Sequence, residues 1–246
     1  MPDPQHPTRP FLTATWRYLA MLNYEIDPAV LQPHLPAGLA VDTWQGRAFV
    51  SLVGFMFLDT RVLGLPIPWH RNFDEVNLRY YVRRRDLGDD APRAVAFIRE
   101  IVPRPAIAWT ARIVYGEPYI ALPMRRQIDY VTSTPASVEY GWRFRDQWQR
   151  LGVRPQGAAQ PMTPGSEAEF IAEHYWGYAS QRGRTVEYQV EHPPWRVWQV
   201  STSWLDCDVT GLYGSEFAPF LASPPSSAFL AEGSAVIVRQ GRRLNI

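Results

Sequence analysis

Alternation of apolar and polar positions dominates this chain. In NFDEVNLRYYVRRR (residues 72–85), Val76, Leu78, Tyr80 and Val82 share one parity, and Glu75, Asn77, Arg79, Tyr81 and Arg83 share the other. A period of two is that of a β-strand. The first set reads as a buried face. The second reads either as a solvated face or as the lining of a pocket, and alternation alone leaves both open. Same-face neighbours on a strand lie about 6.6 Å apart, so Glu75 and Arg79 stand roughly 13 Å apart along it and do not neutralise each other directly. Each needs water, a cross-strand partner or a ligand.

The rest of the chain follows the same style. Residues 11–26 (FLTATWRYLAMLNYEI) fit a strand or a helix by pattern. Asp27 and Pro28 then start a short helix as N-cap and first helical residue. The stretches LAVDTW and RAFVSLVGFMFLD, joined by Gln45-Gly46, predict a two-stranded hairpin. Residues 94–102 predict a strand and residues 106–115 a helix with Ala108, Arg112 and Tyr115 along one side. Residues 152–165 (GVRPQGAAQPMTPG) read as a long surface loop. Ser166 and Glu169 stand at capping-box spacing, which predicts a helix over 167–174. Many strands, few helices and frequent Pro-Gly turns favour a mostly antiparallel α+β or barrel-like domain over residues 11–246, after a flexible N-terminal segment at 1–10.

Composition narrows the function. The chain has 246 residues, enough for one large core. Its net charge of +1 provides no global field for nucleic acid or an anionic membrane. No apolar run reaches the length of a membrane span, and the expectation is a soluble cytoplasmic protein without nucleic-acid or membrane partners. Homo-oligomerisation is left open. The one cysteine, Cys207, lies between two aspartates and reads as a small buried hydrophobe rather than a nucleophile. All 25 basic residues are arginine. Without lysine no side-chain amine forms a Schiff base, which excludes iminium catalysis, PLP anchoring and a P-loop.

Familiar motifs are absent. There is no GxGxxG, GxSxG or HExxH, and none of the five histidines pairs with another at ligand spacing, so neither a metal nor a cofactor is expected. EHYWGY (residues 173–178) brings an acid, His174 and three aromatics, Tyr178 among them, to a helix end. Core packing and a site both fit it. Trp195, Trp198 and Trp204 in one strand region fit either core or an aromatic pocket wall.

The runs from WRYLAMLNYEIDPAVLQPHLPAGLAVDTWQGRAFVSLVGFMFLDTRVLG through NFDEVNLRYYVRR, with FIREIVPRPAIAWTARIVYGEPY, SEAEFIAEHYWGY and SSAFLAEGSAVIV, resemble the YqjF-like family of uncharacterised conserved proteins, within the acetoacetate decarboxylase-like superfamily. The resemblance implies a closed, cone-like, mostly antiparallel β-barrel with a central cavity and a few peripheral helices. It places Glu75 where the decarboxylases direct a glutamate into that cavity. Their Schiff-base lysine follows a Gly-x-Pro turn, and Gly116-Glu117-Pro118-Tyr119 puts Tyr119 at that position. Lacking lysine, this chain departs from their reaction. The resulting expectation is a small-molecule-binding barrel, an enzyme of lyase or hydrolase type that acts without lysine on a carboxylate- or carbonyl-bearing metabolite. In it Glu75 or Glu100 serves as acid/base, Tyr119 donates to an oxyanion, and Arg79 or Arg112 holds an anionic group. Asn77, His174 and Tyr178 complete the substrate contacts. The alternative is a non-catalytic ligand-binding or regulatory protein using the same cavity.

Overall fold

The structure is a computed structural model that describes residues 9–244. The expected flexible segment 1–10 lies outside the described residues except at its end, where Pro10 already begins a strand. The strands are β1 (Pro10–Ile26), β2 (Leu39–Val41), β3 (Ala48–Val62), β4 (Leu65–Pro66), β5 (Phe73–Arg84), β6 (Ala94–Val102), β7 (Tyr119–Ala121), β8 (Met124–Val131), β9 (Thr134–Phe144), β10 (Gln147–Pro161), β11 (Trp176–Gln181), β12 (Arg184–Glu191), β13 (Arg196–Asp206), β14 (Ser227–Ala231), β15 (Ala235–Arg239) and β16 (Arg242–Arg243). The helices are α1 (Pro28–Leu31), α2 (Pro105–Val114), α3 (Glu167–Ala172), α4 (Val209–Leu212) and α5 (Ala218–Leu221).

Seven strands close a ring in the order β1–β3–β5–β6–β11–β12–β15, with β15 returning to β1. The expected closed barrel is therefore present, but it is mixed rather than wholly antiparallel: β6 runs parallel to β11 and to β7. The β6–α2–β7 passage is a crossover, because parallel neighbours cannot be joined by a tight turn. The first half of β1 pairs β15 and the second half pairs β14. Between them the register of β1 slips, and Tyr18 adopts a left-handed φ of 52°. There a second layer, β14–β13–β10–β9–β8, branches off the barrel and folds back over it.

That layer explains the long apolar runs. Residues 48–57 of β3 and 73–82 of β5 are buried without interruption. Both faces of those strands are covered, so strict apolar–polar alternation gives way to continuous burial. Val76, Leu78, Tyr80 and Val82 pack outward among Tyr140, Trp142, Leu151 and Val153. The cover expected to be helical is thus mainly a sheet. Inside the barrel a second core gathers Leu19, Met21, Phe49, Val53, Phe55, Tyr81 and the buried face of α3.

Three local expectations change. β2 pairs with β5 instead of forming a hairpin with β3, and only the Trp44–Arg47 bridge remains at the Gln45-Gly46 turn. The supposed loop at 152–165 is largely the second half of β10, paired with β13 as far as Pro161. Pro155 and Gly157 fall at or beside register shifts, where a strand tolerates them. Helix α3 starts as predicted, with Ser166 Oγ accepting from Glu169 N at 3.2 Å, but ends at Ala172, leaving His174 beyond it.

Candidate functional site

The polar face of β5 points into the barrel. Glu75, Asn77 and Arg79 all line an internal cavity of about 230 Å³. Cross-strand register extends this face into a row. Asn77 faces Glu100 on β6, and Glu100 faces Tyr119 on β7. Asn77 Nδ2 donates to Glu75 Oε1 and Tyr119 Oη donates to Glu75 Oε2, each at 2.9 Å. A third carboxylate enters from the α2–β7 turn. Glu117 accepts from Tyr188 Oη on β12 at 2.7 Å.

Burial sets the protonation of this cluster. Glu75, Glu100 and Glu117 are 2, 2 and 4% exposed, and desolvation disfavours a buried charge. Burial lifts Glu75 to about 7, against the opposing hydrogen bonds from Asn77 and Tyr119. Glu100 is raised well above the ordinary carboxylate range by burial, then by the charges of Glu117 and Glu75. Glu117 is lifted to about 8, again mainly by burial, with Tyr188 and Glu100 hydrogen bonds opposing. Burial and the neighbouring carboxylates also push the Tyr119 phenol well up, so it stays a neutral donor.

Further along β5 the cavity changes character. Arg79 Nη2 donates to the Ile171 carbonyl at 2.8 Å, and its Nε has no hydrogen-bond partner. Among the described residues no carboxylate forms an ion pair with Arg79. His174 lies against Tyr81 with ring centroids 4.8 Å apart, and both of its nitrogens are buried without a hydrogen-bond partner. Burial, then Arg79 and Arg93, hold its pKa well below the ordinary value, so the imidazole is neutral. His192 stacks on Trp195 at 4.1 Å and is held down by burial. The remaining wall is largely apolar.

Of the residues singled out from sequence, Glu75, Glu100, Tyr119, Asn77, Arg79 and His174 share this one cavity. Two do not. Arg112 is exposed on α2, and its Nε donates at 2.6 Å to the backbone carbonyl of Tyr119, so it braces the strand outside the cavity. Tyr178 is fully buried in the outer core, where its hydroxyl donates to Glu187 Oε2 at 2.7 Å. Only Trp195 of the three tryptophans lines the cavity; Trp198 packs in the outer core and Trp204 donates to Glu139. Glu117 and Tyr188 were missed. Glu117 sits inside the turn already compared with the decarboxylase motif, and that was its one visible signal. Burial and the flanking aspartates push the Cys207 thiol up to about 12, in keeping with an inert side chain. No group of three or more metal-ligating side chains occurs among the described residues. No helix among them is long and apolar enough to cross a membrane.

A family model for DUF2071, described as an uncharacterized conserved protein, matches residues 13–235. The uncharacterized protein YqjF of Bacillus subtilis strain 168 is 27% identical over 187 residues, 74% of this chain and 72% of that protein. Among solved structures, acetoacetate decarboxylase from Legionella pneumophila superposes over 99% of this chain and 92% of its own, with a TM-score of 0.66 at 13% identity. The enduracididine biosynthesis enzyme MppR, complexed with pyruvate, superposes over 98% of this chain and 93% of its own, also with a TM-score of 0.66 at 13% identity. At such identities the likeness is one of fold.

Proposed function

The chain belongs to the DUF2071 family, and from that premise we propose that its barrel binds a small carboxylate- or carbonyl-bearing metabolite and acts on it by general acid–base chemistry without a covalent lysine, as a lyase or hydrolase. One observation carries the reading: Glu75 is buried, borders the cavity and holds a proton with a pKa of about 7. A group so poised populates both forms near neutrality, which is what a general acid or base requires. Glu100 is the proton-bearing neighbour in the same row. Tyr119 Oη is placed to turn its hydrogen bond from Glu75 to a developing oxyanion. Arg79, buried and without a carboxylate partner among the described residues, is the anchor for the substrate's carboxylate. A cavity of about 230 Å³ is equivalent to roughly eight waters of ~30 Å³, a space for a small acid rather than a polymer. One neighbour of the same fold is an acetoacetate decarboxylase and another is complexed with pyruvate, which supports looking first among small oxo acids.

The test is a turnover screen over 2-oxo and 3-oxo acids with the wild type and Glu75→Gln. The expected loss in the variant is roughly 10²-fold or more. Equal turnover in both removes Glu75 from the chemistry. Saturable binding with no turnover by the wild type favours the ligand-binding or regulatory reading instead.

A further inference from the structure

The cavity holds more acid than its own walls offset. Glu75, Glu100 and Glu117 all border it, and none forms an ion pair among the described residues. The side chains facing the cluster are Asn77 and Arg79 from β5, Tyr119 from β7, Tyr188 from β12, and His174 and His192 from the segments after α3 and β12. Both histidines are neutral, and Arg79 is spoken for in part by the Ile171 carbonyl.

Hydrogen bonding sharpens the point. Both oxygens of Glu75 receive a donor, and so does Glu117 Oε1. Glu100 Oε2, Glu117 Oε2 and Asn77 Oδ1 are buried and have no donor other than the proton that Glu100 and Glu117 can share between them. Asn77 faces Glu100 across the β5–β6 ladder, and Glu117 is close enough to Glu100 for its charge to raise that carboxyl. Three acceptors therefore border one end of one cavity. A proton shared between two carboxylates satisfies at most that pair and leaves the amide oxygen. A primary ammonium brings three N–H donors and no acceptor, one donor for each orphan oxygen, and its charge pairs with the carboxylates once they ionise.

We propose that the natural ligand carries a protonated primary amine seated against Glu100, Glu117 and Asn77, with its carboxylate at Arg79. The ligand class is a small zwitterion with its charges at opposite ends. This rests on reading the cavity as a binding site for a small carboxylic acid, and it adds the second charged end.

Calorimetric titration tests it with 4-aminobutanoate, 5-aminopentanoate and 6-aminohexanoate against butanoate, pentanoate and hexanoate, at pH 6 and pH 8. At pH 8 at least one amino acid is expected to bind roughly tenfold or more tighter than the alkanoate of equal length. The preference shrinks at pH 6, where the ammonium must displace protons from the glutamates. Glu117→Gln brings the preference toward unity while alkanoate affinity stays within about threefold. The isosteric amide can still accept from Tyr188, and a melting curve checks its fold, while the wild-type pH comparison needs no variant. Alkanoates binding as well as their amino partners at pH 8 overturns the amine subsite and leaves the acid-binding cavity standing. If none of the six acids binds, both fall.

Discussion

Tyr119 donates a 2.9 Å hydrogen bond to Glu75 although β6 separates their strands. The bond reaches past Glu100, the residue Tyr119 faces in register. A phenol from the α2–β7 crossover thus stabilises the ionised form of a carboxylate that burial drives toward its neutral form. The crossover is what carries a donor across the row.

Removing that donor should shift Glu75 further upward. A hydrogen bond to a charged group contributes about 1.5–3 kcal/mol, which is roughly one to two pH units. Tyr119→Phe is expected to move the Glu75 midpoint above about 7 by that order. Carbon-13 NMR of the glutamate carboxyls, with Glu75→Gln for assignment, reads the midpoint. An unmoved midpoint would mean that the bond contributes nothing in solution.

The raised carboxyls tie stability to pH. A glutamate whose folded pKa exceeds its unfolded value binds its proton more tightly when folded, so the folded state is favoured below that pKa and loses the advantage as pH rises through it. Glu75 and Glu117 rise to about 7 and about 8, so the advantage is full below the ordinary glutamate pKa of about 4.3 and is lost from there up to those raised values. Each contributes at most about 1.4 kcal/mol per pH unit inside its window. Melting temperature is expected to fall from about pH 5 to about pH 8, and Glu117→Gln should flatten that slope. A variant with the wild-type slope would count against Glu117 as a contributor.

The barrel was more legible than the site. β5 and β6 are visible from alternation and from continuous apolar runs, because their inner and outer faces meet two different cores. The cavity side of β5 was not, since Glu75, Asn77 and Arg79 have the same period on a wet face as on a lined one. Closure of the ring decides between those, and closure depends on contacts between distant strands such as β1 and β15. Glu117 was illegible for a related reason. It comes from a turn with no period, and only the β6–α2–β7 crossover brings it beside Glu100. Arg112 misled because spacing assigned it the side of α2 shared with Ala108, while its own side chain turns back to the Tyr119 carbonyl.

Arg79 gives the most direct test of the anion end. Its guanidinium has a donor to spare, since Nε lacks a partner while Nη2 holds the Ile171 carbonyl. Arg79→Gln is expected to weaken binding of small carboxylates by roughly tenfold or more, the range for losing a charge-assisted hydrogen bond. For a turned-over acid, KM should rise more than kcat falls. Unchanged carboxylate affinity in a folded variant would move the anion site elsewhere.

Gly177 links packing to the chemistry of the cluster. It faces Tyr188 across the β11–β12 ladder, and a Cβ there would overlap the Tyr188 ring at Cζ and Oη. Gly177→Ala must therefore displace the phenol that donates to Glu117 at 2.7 Å. Two effects are expected together: a stability loss of roughly 1–3 kcal/mol from overpacking, and a Glu117 midpoint above about 8, because the bond that lowers it is gone. Gly54→Ala is the control. Its Cβ would stand 2.6 Å from Tyr140 Cδ2, on the outer face of the barrel and away from the acids. It should lose stability on a similar scale and leave the Glu117 titration where it was. If both variants shift Glu117, the shift reflects general loosening of the barrel; if only Gly177→Ala does, the Tyr188 bond is what holds that proton.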